Sequence, residues 1–164
     1  MGRAGDDVPS SPAVSVPNAP LEQLGRWGQL GQADVVGVEG LGHRVCGWIA
    51  YDDEWVEYLL DDGRWLCVES VPGNRLEFSV WEDQEGIVSV GDAPTLTHGG
   101  VSYVRKEGYR ARWLAAGVDG LTGPGYVTVI EYEGMGSALA AVEDWGDGQE
   151  LSLGRRLAVD AVTL

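Results

Sequence analysis

From Gly31 onward, apolar and aromatic residues arrive in runs too short for a packed helix, each cut by residues that reverse a chain. The runs Asp34–Val38, His43–Tyr51, Glu54–Leu60, Arg64–Ser70 and Arg75–Trp81 follow one another closely. Asp62-Gly63 and Pro72-Gly73-Asn74 stand between them: Gly tolerates a positive φ, and Pro presets the first turn angle. Later runs are Ile87–Val90, Val101–Arg105, Tyr109–Ala115, Tyr126–Tyr132, Ala138–Glu143, Glu150–Leu153 and Leu157–Val162. Short runs rich in Val, Trp and Tyr at this spacing predict an all-β fold, a small antiparallel barrel or sandwich with little helix. Leu21–Leu30 is the one helical stretch expected, weakened by Gly25 and Gly28.

Four of the seven prolines lie in residues 1–20, which reads as a disordered tail ahead of a single β domain at 21–164. Two spacings recur within that domain. Val35, Val38, Gly42 and Arg44 match Val101, Val104, Gly108 and Arg110 at one constant offset. Glu57, Tyr58, Val68 and Glu69 match Glu131, Tyr132, Val142 and Glu143 at a larger one, the difference being absorbed by Gly117–Gly125. Ordered matches of this kind predict two similar halves, at about 31–90 and 97–164.

The formal charge of −15 sets the classes of partner. Nucleic acid and anionic membrane surfaces both require clustered Lys and Arg, so neither is expected. A cationic ligand or a basic protein surface remains open, and a solubilising net charge explains the same number. No apolar stretch is long enough to span a bilayer, and no leader's apolar region opens the chain. Two cysteines, Cys46 and Cys67, make no disulfide framework, so the expected location is the reducing cytoplasm. Arg far outnumbers Lys, as a GC-rich genome would produce.

Glu57, Glu69, Glu131 and Glu143 are the candidate ligand-binding carboxylates, with Trp55, Tyr58, Trp65 and Tyr132 beside them. A two-residue loop at Asp62-Gly63 would send Glu57 and Glu69 to opposite faces. A three-residue loop would gather Trp55, Glu57, Cys67 and Glu69 on one face, and Gly134-Met135-Gly136 predicts the same for Glu131 and Glu143. Carboxylates sharing a β face hold a cation or raise one another's pKa. Solvent-facing strand glutamates paired with Arg would give the same spacing. The aromatic set Trp48, Tyr51, Trp55, Tyr58, Trp65 and Trp81 supplies core and, with its acidic neighbours, a surface suited to cation–π contact.

Catalytic signatures are sparse. His43, Cys46 and Cys67 lack a fourth zinc ligand, and His98-Gly99-Gly100 reads as a loop. There is no Gly-x-Ser-x-Gly, P-loop or dinucleotide fingerprint, and no cofactor is expected.

The segment Glu54-Trp55-Val56-Glu57-Tyr58-Leu59-Leu60, followed by Arg64-Trp65-Leu66, resembles a bacterial domain family with a Trp-x-Glu-Tyr-x-Leu strand and then a Trp-Leu strand. Glu131-Tyr132 and Glu143-Asp144-Trp145 continue the resemblance, which spans roughly residues 30–157. The resemblance implies no catalytic residues. It implies a gene neighbourhood with spermidine-synthase-like and membrane-stress proteins, and some relatives carry a zinc-ribbon-like segment where this chain has prolines. The leading expectation is therefore a non-catalytic cytoplasmic binding or assembly module with a protein partner, acting with a membrane-associated system. A sensor or carrier of a small cation such as a polyamine is the alternative, and a metal-dependent hydrolase the third.

Overall fold

The structure, a computed structural model, describes residues 15–85 and 93–164. Residues 1–14 of the expected tail and the expected strand Ile87–Val90 lie outside them. Among the described residues the alternating apolar runs form eleven antiparallel strands: β1 (Val35–Val38), β2 (Leu41–Tyr51), β3 (Trp55–Leu60), β4 (Trp65–Val71), β5 (Arg75–Asp83), β6 (Thr95–His98), β7 (Val101–Ala116), β8 (Gly125–Glu133), β9 (Ala138–Asp144), β10 (Gln149–Leu157) and β11 (Val162–Thr163). Glu22–Gly28 and Val159–Ala161 are short 3₁₀ helices. No helix among the described residues is long and apolar enough to cross a membrane.

Of barrel and sandwich, the structure is a barrel. The strand order is β11-β1-β2-β3-β4-β5-β10-β9-β8-β7-β6, and β2 also pairs with β7, so β2–β5 and β7–β10 close into a ring. Closure pairs Trp48 with Ala116 and Tyr51 with Trp113. A side chain cannot fit at that junction, because a Cβ on Gly47 would stand 2.5 Å from the Gly117 carbonyl oxygen. Ring closure leaves no free edge among its own strands.

The runs β1–β5 and β6–β10 are each five consecutive antiparallel strands, joined at β2–β7 and β5–β10. The second repeated spacing falls on equivalent strands, with Glu57 and Tyr58 on β3 against Glu131 and Tyr132 on β8, and Val68 and Glu69 on β4 against Val142 and Glu143 on β9. The first spacing does not. Val35–Arg44 runs through β1, a turn at Glu39 and Gly40, and β2, whereas Val101–Arg110 is continuous strand within β7. Gly108 does not end that strand, which passes it paired with Ile130 after a bulge between Arg105 and Glu107. The two strands expected at Val101–Arg105 and Tyr109–Ala115 are thus one, and Thr95–His98 is a strand the sequence reading missed.

Alternation gives each ring strand an outer and a lumenal face. In the first half the outer residues Val56, Tyr58, Leu60, Leu66, Val68 and Phe78 are buried under Ala19, Leu21, Leu24 and Leu30. The Trp48 indole donates to the Pro17 carbonyl at 2.6 Å, and the Tyr58 hydroxyl donates to the Trp27 carbonyl at 2.7 Å while accepting from the Leu30 N–H at 3.2 Å. The end of the expected tail that is described therefore belongs to the packed domain, with Ala19 buried. Each buried Leu or Val side chain in this layer contributes about 1.5–3 kcal/mol of transfer free energy. In the second half Leu96, Tyr103, Tyr132, Ala140, Val142 and Leu151 pack together, and the Tyr132 hydroxyl donates to the Ala93 carbonyl at 2.8 Å. The matched tyrosines thus do matched work, each pinning a crossing segment to the outside of the ring.

Candidate functional site

The hairpin loops decide which side chains enter the lumen. Leu60 N–H bonds the Arg64 carbonyl across the turn 61–63, and Gly63 takes φ +86°. This is the three-residue loop, and it pairs Trp55 with Glu69 and Glu57 with Cys67. The β8–β9 turn is the same length, closed by Gly134 N–H on the Ala138 carbonyl, and it pairs Glu131 with Ala141 and Val129 with Glu143. All four candidate glutamates consequently face inward, together with Trp55 and Trp65, and line a cavity of about 450 Å³. That lies in the range of about 300–1,000 Å³ typical of small-molecule sites.

Two of the candidates are placed otherwise. Tyr58 points to the outer layer, and Tyr132 borders the cavity while its hydroxyl is bonded outward to Ala93. The reason is local: a residue next to a lumenal glutamate on an extended strand must face the opposite way. The sequence reading passed over Asp83, Tyr109, Trp145, Glu150 and Ser152, all of which line the cavity, as do Tyr51 and Trp81. Their signal was alternation. Asp83 stands two residues after Trp81 on β5, and Trp145 two residues after Glu143.

Inside, carboxylates are held by neutral donors. Tyr51 donates to Glu57 Oε2 at 2.9 Å, and the corresponding tyrosine of the second half, Tyr109, donates to Glu131 Oε1 at 2.8 Å. The Trp145 indole donates to Glu143 Oε2 at 3.1 Å. The Trp65 indole and the Ser152 hydroxyl occupy the two oxygens of Asp83, at 3.1 and 2.8 Å. Three of the donor rings also pack into a longer aromatic row. Trp113, Trp145, Tyr51, Trp55 and Tyr109 form a chain with successive centroids 5.7, 6.5, 4.7 and 5.7 Å apart.

Neutral donors orient a carboxylate without cancelling its charge, and the carboxyl groups respond. Burial, followed by the charge of Glu143, raises Glu57 well above the usual carboxylate range. Burial and then Asp83 raise Glu143 to about 7. Burial raises Glu131 against the opposing hydrogen bond from Tyr109, with Glu107 adding to the rise. The Cys67 thiol is pushed up by burial and then by Glu57.

The acidic residues fall into two groups. Glu131 feels Glu107 and Glu69, and Glu69 feels Glu77 along with Lys106 and Arg156. Both cations bond Glu133 Oε1, Lys106 at 3.1 Å, so this group carries its own counter-charge. Glu57, Glu143 and Glu150, with Asp83 beside them, form the other group, and the charged neighbours that raise the three glutamates are acidic.

Elsewhere, His43 sits at the outer turn with Asp61 and Asp62 at 3.3 and 3.5 Å, apart from both cysteines' chemistry. Cys46 and Cys67 are free thiols, half-buried and buried. Among the described residues no three His, Cys, Asp or Glu side chains are arranged to hold a metal ion.

Neither a curated protein nor a solved structure matches the chain. A family profile described as DUF4178, a domain of unknown function, matches residues 31–158, which takes in the entire ring. With most of its length matched, and in line with the expected kinship to a domain family without assigned activity, the chain belongs to the DUF4178 family.

Proposed function

We propose that the barrel is a cytoplasmic binding module that takes a small organic cation, such as a polyamine, into its lumen. One observation carries this reading: the lumenal carboxylates Glu57, Glu131 and Glu143 are oriented by Tyr and Trp donors inside an aromatic-lined cavity, with the exposed Asp83, held by Trp65 and Ser152, beside them. Buried carboxylates that lack a counter-charge are costly, and a cation that enters relieves that cost while its alkyl part lies along the aromatic rings. The two free thiols support the cytoplasmic location.

Titration calorimetry of the full chain at low salt tests the proposal, using putrescine, spermidine and n-butylammonium against the neutral n-butanol. Heat with the amines, weakened by added salt, and none with the alcohol is the expected result. Absence of heat with every amine refutes it.

A further inference from the structure

We infer that the cavity selects a cation bearing N–H groups, a primary ammonium or a guanidinium, and seats its head between Glu57 and Glu143. The inference rests on the cation-binding reading and specifies its chemistry and its place.

The hydrogen-bond pattern supplies the argument. Glu57 and Glu143 each accept one neutral donor, on Oε2 in both cases. Among the described residues no donor reaches Glu57 Oε1 or Glu143 Oε1. Asp83 is different, since Trp65 and Ser152 occupy both its oxygens. Two carboxylate oxygens of one cavity are thus open to a ligand's donors, and the residues that hold the two carboxylates are neighbours, the Tyr51 and Trp145 rings lying 6.5 Å apart. A primary ammonium offers three N–H donors and a guanidinium offers five, whereas a quaternary ammonium offers none. Three of the indoles that line the cavity have their N–H groups turned to protein oxygens, and the face of a fourth, Trp55, is stacked on Tyr51 at 4.7 Å, which leaves fewer rings to cage a quaternary head. Trp65 gives its N–H to Asp83, Trp81 to Ser79 and Trp145 to Glu143.

Charge fixes the location. The group around Glu69 and Glu133 already holds Lys106 and Arg156. A second cation there would meet like charge, whereas at Glu57 and Glu143 it would meet only acids.

The experiment is calorimetry on the full chain at about pH 8, above the range in which Glu143 titrates. The probes are n-butylammonium, n-butylguanidinium and butyltrimethylammonium. The first two should bind, and the third roughly tenfold or more weaker, because it forfeits charge-assisted hydrogen bonds. Glu143→Gln and Glu57→Gln should each weaken n-butylammonium by roughly tenfold or more, and Glu69→Gln by less than about threefold. Near-UV circular dichroism checks that each variant is folded, and Glu143→Gln alone decides the matter should Glu57→Gln not fold. Equal affinity for butyltrimethylammonium, or a loss that follows Glu69 in place of Glu143, overturns the inference and leaves the cation-binding reading intact. Failure of all three cations to bind removes both.

Discussion

Raising the pH from about 5 to about 8 should destabilise the empty barrel, and Glu143→Gln should remove much of that loss. Glu143 titrates near 4.5 in an unfolded chain and at about 7 in the barrel, because it is buried and faces Asp83 and Glu150. Below about pH 4.5 both states hold the proton and the site costs nothing. Between those values the folded state holds more protons than the unfolded one, so stability falls as pH rises. Above about pH 7 the cost is complete, about 3 kcal/mol at ~1.4 kcal/mol per tenfold change in proton affinity. Glu57 and Glu131 are raised as well and act in the same direction. Glu39, Asp61, Asp62 and Glu133 are lowered, so the stability they add is lost only on acidification below the usual carboxylate range, outside this window. A chain of this size shifts in Tm by about 2–4 °C per kcal/mol, which gives a fall of roughly 6–12 °C from Glu143 alone. Tryptophan fluorescence during thermal and urea unfolding at several pH values reads it directly. Glu143→Gln should show a shallower pH dependence and greater stability than the parent at about pH 8. Stability that climbs steadily from about pH 5 to 8, or a variant with the parent's full slope, would refute the reasoning.

Two further outcomes follow from the walls of the barrel. Tyr58→Phe should cost about 1–3 kcal/mol in urea unfolding, because it strands the buried Leu30 N–H and removes the donor to the half-buried Trp27 carbonyl. Gly154→Ala places a Cβ 2.5 Å from the Trp81 ring, which must move toward the lumen. It should cost about 1–3 kcal/mol, alter the tryptophan emission and weaken amine binding.

Much of the candidate site could be read from residue order, though not in its final form. The matched Glu-Tyr pairs at 57–58 and 131–132 marked both the lumen and its outer wall. Strict alternation already forbids Glu57 and Tyr58 from sharing a face, so grouping them as one binding set ignored a rule the sequence itself contains. The partners of the glutamates were harder to find. Tyr51 reaches Glu57 across the β2–β3 hairpin, and Tyr109 reaches Glu131 across β7–β8 just past the bulge at Arg105–Glu107, so their meeting depends on register. Asp83 meets Ser152 only through the β5–β10 pairing, sixty-nine residues apart in the chain.

The sequence by itself determined the all-β class, the hairpins at Asp62-Gly63 and Pro72-Gly73, and the net acidity. These follow from properties carried within a few residues: turn dihedrals, strand periodicity and formal charge. It also placed Glu57, Glu69, Glu131 and Glu143 at matched positions. Tertiary structure alone decided barrel against sandwich, since β2–β7 and β5–β10 join residues distant in the chain and leave no local mark beyond the small residues Gly47, Gly117 and Gly154. It alone decided the three-residue register that turns the glutamates inward. A shift of one residue would have sent Glu57 and Glu69 to opposite faces, with every local propensity unchanged.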